Sequence, residues 1–116
     1  MAKILVVDDE PIIAMTMADW LGDLGHEVVG PASDLTEALP LCDAPLDAAV
    51  LDVSLGSRTT EEVAARLAAR SVPFAVASGH DAGSLHAAFS SGLALPKPFG
   101  FETFRLTMER LLGDRA

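Results

Sequence analysis

Three acids, a hydroxyl and an amine carry the chemistry of this sequence: Asp8, Asp9, Asp52, Ser78 and Lys97. Each stands just past a short apolar or β-branched run. The run Ile4-Leu5-Val6-Val7 precedes the acidic pair, 47–51 leads into Asp52, 73–77 into Ser78, and 93–95 stands just before Lys97. Taken singly, each has an ordinary explanation. An acidic pair suits a helix N-terminus, Asp52 a solvated loop, Ser78 a turn, and Lys97 a surface ion pair. Gathered at one place they require more, because crowded carboxylates raise one another's pKa unless a cation intervenes. An oxygen-rich set of this kind suits a hard divalent ion, and Mg²⁺ takes one or two carboxylates while keeping several waters. A carboxylate can also attack phosphorus to give an aspartyl phosphate. A metal and a lysine would then neutralise charge on the transferring group, and a hydroxyl would bind another of its oxygens.

Other chemistries find less support. No histidine or cysteine triad suggests acyl transfer, and His26, His80 and His86 lack metal-ligand spacing. No glycine-rich phosphate loop of the Walker type occurs.

The elements that must bring the five residues together are legible in the pattern. The apolar run at 4–7 reads as a strand covered on both faces. Pro11 suits the first position of a helix; Ile13, Met17, Trp20, Leu21 and Leu24 follow at helical spacing, and Gly25 closes it. A second strand is predicted over 26–29. Ser33 or Asp34 caps a short helix bearing Leu35, Ala38 and Leu39, with Pro40 near its end. A third strand covers 47–52. Thr59 and Glu62 have capping-box spacing ahead of Val63 and Leu67. The fourth strand covers 73–77, a weak helix follows around 84–89, and the fifth strand covers 93–95. Phe104, Met108, Leu111 and Leu112 line a final helix. Five such units predict an α/β fold, a doubly wound parallel sheet with helices on both faces. Function in such sheets collects beyond the carboxyl ends of the strands, where all five residues fall.

Composition sets the outer limits. With 116 residues and half of them hydrophobic, the expectation is one domain over 1–116 with its own core. The single cysteine, Cys42, forms no internal disulfide and reads as a small buried side chain in a reducing, cytoplasmic compartment. The apolar run near the start is too short for a signal peptide or a membrane span. Seventeen acidic residues against eight basic ones give a formal charge of −9, which argues against binding nucleic acid or anionic membranes.

These residues resemble the receiver domains of bacterial two-component response regulators over essentially the whole length. The matching features are Asp8-Asp9, Asp52, Ser78 and Lys97-Pro98-Phe99, each after its strand. The resemblance implies a flavodoxin-like sheet in the order 2-1-3-4-5 and phosphorylation of Asp52, with Mg²⁺, by a sensor histidine kinase or a histidine phosphotransfer protein. It implies that Asp9, Asp52 and the main-chain carbonyl of Ser54 bind the ion directly and that Asp8 acts mostly through water. Ser78 and Lys97 would contact the phosphoryl oxygens, and a cis Lys97–Pro98 bond would aim the lysine at Asp52. A narrower likeness lies in Pro73-Phe74-Ala75-Val76-Ala77-Ser78-Gly79-His80, which is similar to the signature of the "FAT GUY" receivers, often stand-alone. These lack the usual strand-five aromatic, here replaced by Ala94. Val76, Ser78 and His80 depart from that signature, where phenylalanine, threonine and tyrosine are usual.

Without the usual aromatic, the signal is expected to pass through the loop after Ser78. His80, together with Ser54, is a candidate modulator of phosphate lifetime, and exposed-loop histidine is the plainer reading of it. No output domain is expected, so the protein would act on an unidentified downstream protein or serve as a phosphate sink. It is not expected to be a turnover enzyme: an aspartyl-phosphate phosphatase needs an acid two residues past the nucleophile, and that position is Ser54. A flavin protein would need a phosphate loop after the first strand, where two acids stand. A pseudo-receiver, an interaction module that takes no phosphate, is the main alternative, and the complete set of five residues weighs against it.

Overall fold

The computed structural model describes residues 2–55, 58–78, 89 and 92–113. Strands β1 (Lys3–Val7), β2 (Glu27–Ala32), β3 (Ala48–Asp52), β6 (Phe74–Ser78) and β7 (Leu93–Pro96) form one sheet. All of its pairs are parallel, in the order β2-β1-β3-β6-β7. Counting only these strands, the order is 2-1-3-4-5, as expected. A small antiparallel pair, β4 (Ser54–Leu55) with β5 (Arg58–Thr59), follows the third strand of the sheet; nothing in the residue pattern announced it. Helices α1 (Pro11–Asp23), α2 (Leu35–Leu41), α3 (Glu61–Ala69) and α4 (Phe101–Gly113) complete the described elements. The weak helix expected around 84–89 lies outside the described residues, Phe89 excepted.

The continuous apolar strands are explained by burial on both faces. Leu5, Val7, Ala49, Leu51, Phe74 and Val76 point to one layer, which Leu35, Val63 and Leu67 of α2 and α3 complete. Ile4, Val6, Ala48, Val50, Ala75 and Ala77 point to the other, completed by Met17, Leu21, Phe104 and Met108 of α1 and α4. Trp20 packs at the edge of this second layer, its ring 5.3 Å from that of Phe104 and 6.3 Å from that of Phe99. Cys42 is fully buried.

Two local features place the strand ends. Gly30 adopts φ +95°, and a Cβ there would lie 2.8 Å from the Ala32 nitrogen and 3.3 Å from the Val6 carbonyl. Only glycine fits that turn. It accompanies the irregular pairing between Leu5 and Val7, which lets the Ala32 carbonyl accept from the Asp8 N–H at 3.0 Å. At α2, Asp34 caps the Glu37 N–H at 2.9 Å, while Glu37 reaches back to the Ser33 N–H and hydroxyl at 2.9 and 2.8 Å. The capping box expected of Thr59 and Glu62 is not made. Helix α3 begins one residue later, with Thr60 at its cap position and no side-chain cap. The Thr60 hydroxyl is turned to the end of β3 instead.

Candidate phosphoryl-acceptor site

Asp52 is the last residue of β3 and pairs with Ala77 of β6, so its side chain leaves the sheet at the carboxyl edge. It is 5 % exposed. Ser78 ends β6, is buried, and its carbonyl accepts from the Lys97 N–H at 2.8 Å. That bond draws the start of the β7–α4 connection toward β3. The Lys97–Pro98 bond is cis, and Lys97 Nζ donates to Asp52 Oδ2 at 2.8 Å. Glu10 Oε1 lies 3.9 Å from the same ammonium.

Asp8 follows β1 directly and is 1 % exposed. Its Oδ1 accepts from the Glu10 N–H at 2.8 Å, whereas its Oδ2 is buried with no hydrogen-bond partner among the described residues. Burial pushes the Asp8 carboxyl up to about 6. The Glu10 N–H and the Lys97 charge oppose that rise, and the charges of Asp52 and Glu10 add to it. At Lys97, burial works against the charge. The hydrogen bond to Asp52 and the negative charges of Asp52, Asp8 and Glu10 outweigh it, so its pKa stands above the ordinary lysine value.

One carboxylate oxygen each of Asp8, Glu10 and Asp52 lies within 4.8 Å of the others. An all-oxygen donor set suits a hard cation, and the partnerless Asp8 Oδ2 is the buried lone pair that such an ion would satisfy. The residues therefore fit a divalent cation. Asp9, expected as a direct ligand, is exposed and stands outside this group, and Glu10, which the sequence reading did not single out, stands in it. Its place as the third acid in Asp8-Asp9-Glu10 was the available signal. Ser54 enters β4 two residues past Asp52, and its main chain pairs with Thr59. His80 lies outside the described residues. Thr60, also missed, is fully buried, and its hydroxyl donates to the Asp52 carbonyl at 2.6 Å.

The sequence matches the family of response regulator receiver domains over residues 4–109, and the chain belongs to that family. It is 39% identical over 90 residues to the positive alginate biosynthesis regulatory protein of Pseudomonas aeruginosa, covering 73% of this chain and 36% of that one. It is 31% identical over 71 residues to the transcriptional regulatory protein PdtaR of Mycobacterium tuberculosis, covering 60% and 35%. The chain thus spans about a third of the length of these curated relatives. Among solved structures, SdrG of Sphingomonas melonis Fr1 matches with a TM-score of 0.81 at 38% identity, over 97% of both chains. No described helix is long and apolar enough to cross a membrane.

Proposed function

We propose that this receiver domain takes a phosphoryl group from a phosphohistidine onto Asp52 and signals by doing so. The observation that carries the reading is the Lys97 ammonium, 2.8 Å from Asp52 Oδ2, beside the buried carboxylate of Asp8 and the exposed one of Glu10. In the step, a carboxylate oxygen of Asp52 bonds to phosphorus as the P–N bond of the donor breaks, and the imidazole nitrogen leaves with that electron pair. Lys97 is placed to follow the negative charge from the carboxylate to the phosphoryl oxygens. The buried Ser78 at the end of β6 would hold another of those oxygens. Asp8, Glu10 and Asp52 would hold Mg²⁺, which when bound neutralises charge on the transferring group.

The donor on this reading is a sensor histidine kinase or a histidine phosphotransfer protein, in the cytoplasm. The phosphorylated form acts on a downstream protein or drains phosphate from a relay. It is a switch with self-catalysed acceptance and loss of phosphate, and no turnover enzyme. Membership of the "FAT GUY" subgroup rests on the motif at 73–80, whose last two residues lie outside the described ones. The test is phosphotransfer profiling against the host's histidine kinases with Asp52→Asn as control. Label on the wild type alone supports the reading; no label from any donor, and no beryllofluoride binding with Mg²⁺, would leave the pseudo-receiver.

A further inference from the structure

Thr60 is a polar, β-branched residue with no exposed surface, between the exposed Thr59 and the half-buried Glu61. A threonine at a helix cap ordinarily turns its hydroxyl oxygen to accept from a main-chain N–H one turn ahead. This one does not. Its hydroxyl donates to the Asp52 carbonyl at 2.6 Å and lies 3.3 Å from that of Val53, to which its main-chain N–H also donates at 2.9 Å. The short β4–β5 pair, Ser54 with Thr59 and Leu55 with Arg58, folds the chain back so that Thr60 returns to the end of β3.

The β1–β3 ladder has ended at the Val7–Leu51 pair. Past that point, the peptide units after Asp52 and Val53 are held by Ala77, whose carbonyl accepts from the Val53 N–H at 3.1 Å, and by Thr60. The Asp52 side chain departs from this pinned stretch toward Lys97. Helix α3 gives up its own side-chain cap, and the hydroxyl fixes the main chain of the acceptor residue. Phosphoryl transfer needs little from the protein beyond position and charge, so a nucleophile held from behind reacts faster than one free to swing.

Resting on the function proposed above, we infer that Thr60 is a positioning residue for Asp52, acting through its hydroxyl on the Asp52 carbonyl. The experiment follows phosphorylation of the chain by acetyl phosphate with Mg²⁺, by intact mass, as a function of donor concentration. Thr60→Val, Thr60→Ser, Asp52→Asn and wild type are compared where circular dichroism shows each folded. Expected is a saturating rate about tenfold lower for Thr60→Val, at an unchanged donor half-saturation, with Thr60→Ser within about threefold of wild type. A wild-type saturating rate in Thr60→Val overturns the inference, and so does a Thr60→Ser as slow as Thr60→Val. If Thr60→Val does not fold, Thr60→Ala replaces it under the same two outcomes. A wild type that takes no phosphate from acetyl phosphate or from any phosphohistidine donor overturns the function itself and this inference with it. A labelled wild type beside an equally fast Thr60→Val overturns only the role of Thr60.

Discussion

Lys97 Nζ and Asp52 Oδ2 meet at 2.8 Å across 45 residues of sequence. The pair is mostly buried, and the carboxylates around it keep the ammonium charged throughout the working pH range. A positive group fixed where phosphoryl charge arrives is worth most in a site closed to water. Lys97→Met should lower the rate of Asp52 phosphorylation by about 100-fold, while Mg²⁺ binding persists. Stopped-flow labelling with a small-molecule donor and a Mg²⁺ titration would measure the two separately. Equal loss of both would contradict the role given to Lys97.

Asp8 has the opposite character. Its charge is buried, with one oxygen lacking a partner, and so costs stability when no cation is bound. Asp8→Asn should stabilise the metal-free protein by roughly 1–3 kcal/mol and remove most of the stabilisation that Mg²⁺ gives the wild type. Thermal melts with and without Mg²⁺ decide it. An Asp8→Asn protein that melts lower without metal and still gains from Mg²⁺ would be the contrary result.

The same group sets a pH dependence. Its carboxyl titrates near 6 in the folded state against 3.8 when unconstrained, so the folded state holds this proton more tightly than the unfolded one. Its contribution to stability therefore grows as pH falls through about 6, and is complete below about 4. The full change is about 3 kcal/mol. Denaturant unfolding of the metal-free wild type minus that of Asp8→Asn should show about half of this rise between pH 7 and pH 5. A flat difference would contradict it.

On the α1–α4 side of the sheet, Phe104 is fully buried and lies against Trp20 and Phe99. Phe104→Ala should cost about 3–5 kcal/mol. Urea unfolding followed by tryptophan fluorescence reads both the stability and the loss of the ring contact at Trp20.

Much of this was legible in the residues, and the exceptions have physical causes. The strands were readable because each is a short apolar run buried on both faces, and Pro11, Asp34 and Gly25 marked ends through backbone rules that hold locally. The stretch 53–60 was not. Its two-residue strands are too short to show a period, and Thr59 and Thr60 offer the same hydroxyl one residue apart. Only the tertiary position of Asp52 decides which of them turns inward. Asp8, Asp9 and Glu10 posed a similar problem, because a run of acids leaving a strand does not say which carboxylate turns inward. The Asp8 N–H on Ala32, and through it the turn at Gly30, settles the place of the first.

The alternation of the central strands has an experimental use. Val6 and Val7 are neighbours in the chain, yet their methyls stand in separate compartments, one walled by α1 and α4 and the other by α2 and α3. The sheet is thus a partition, and isotope-labelled methyls at these two residues form a paired gauge. A change confined to one side of the molecule would move one signal and leave its nearest covalent neighbour still.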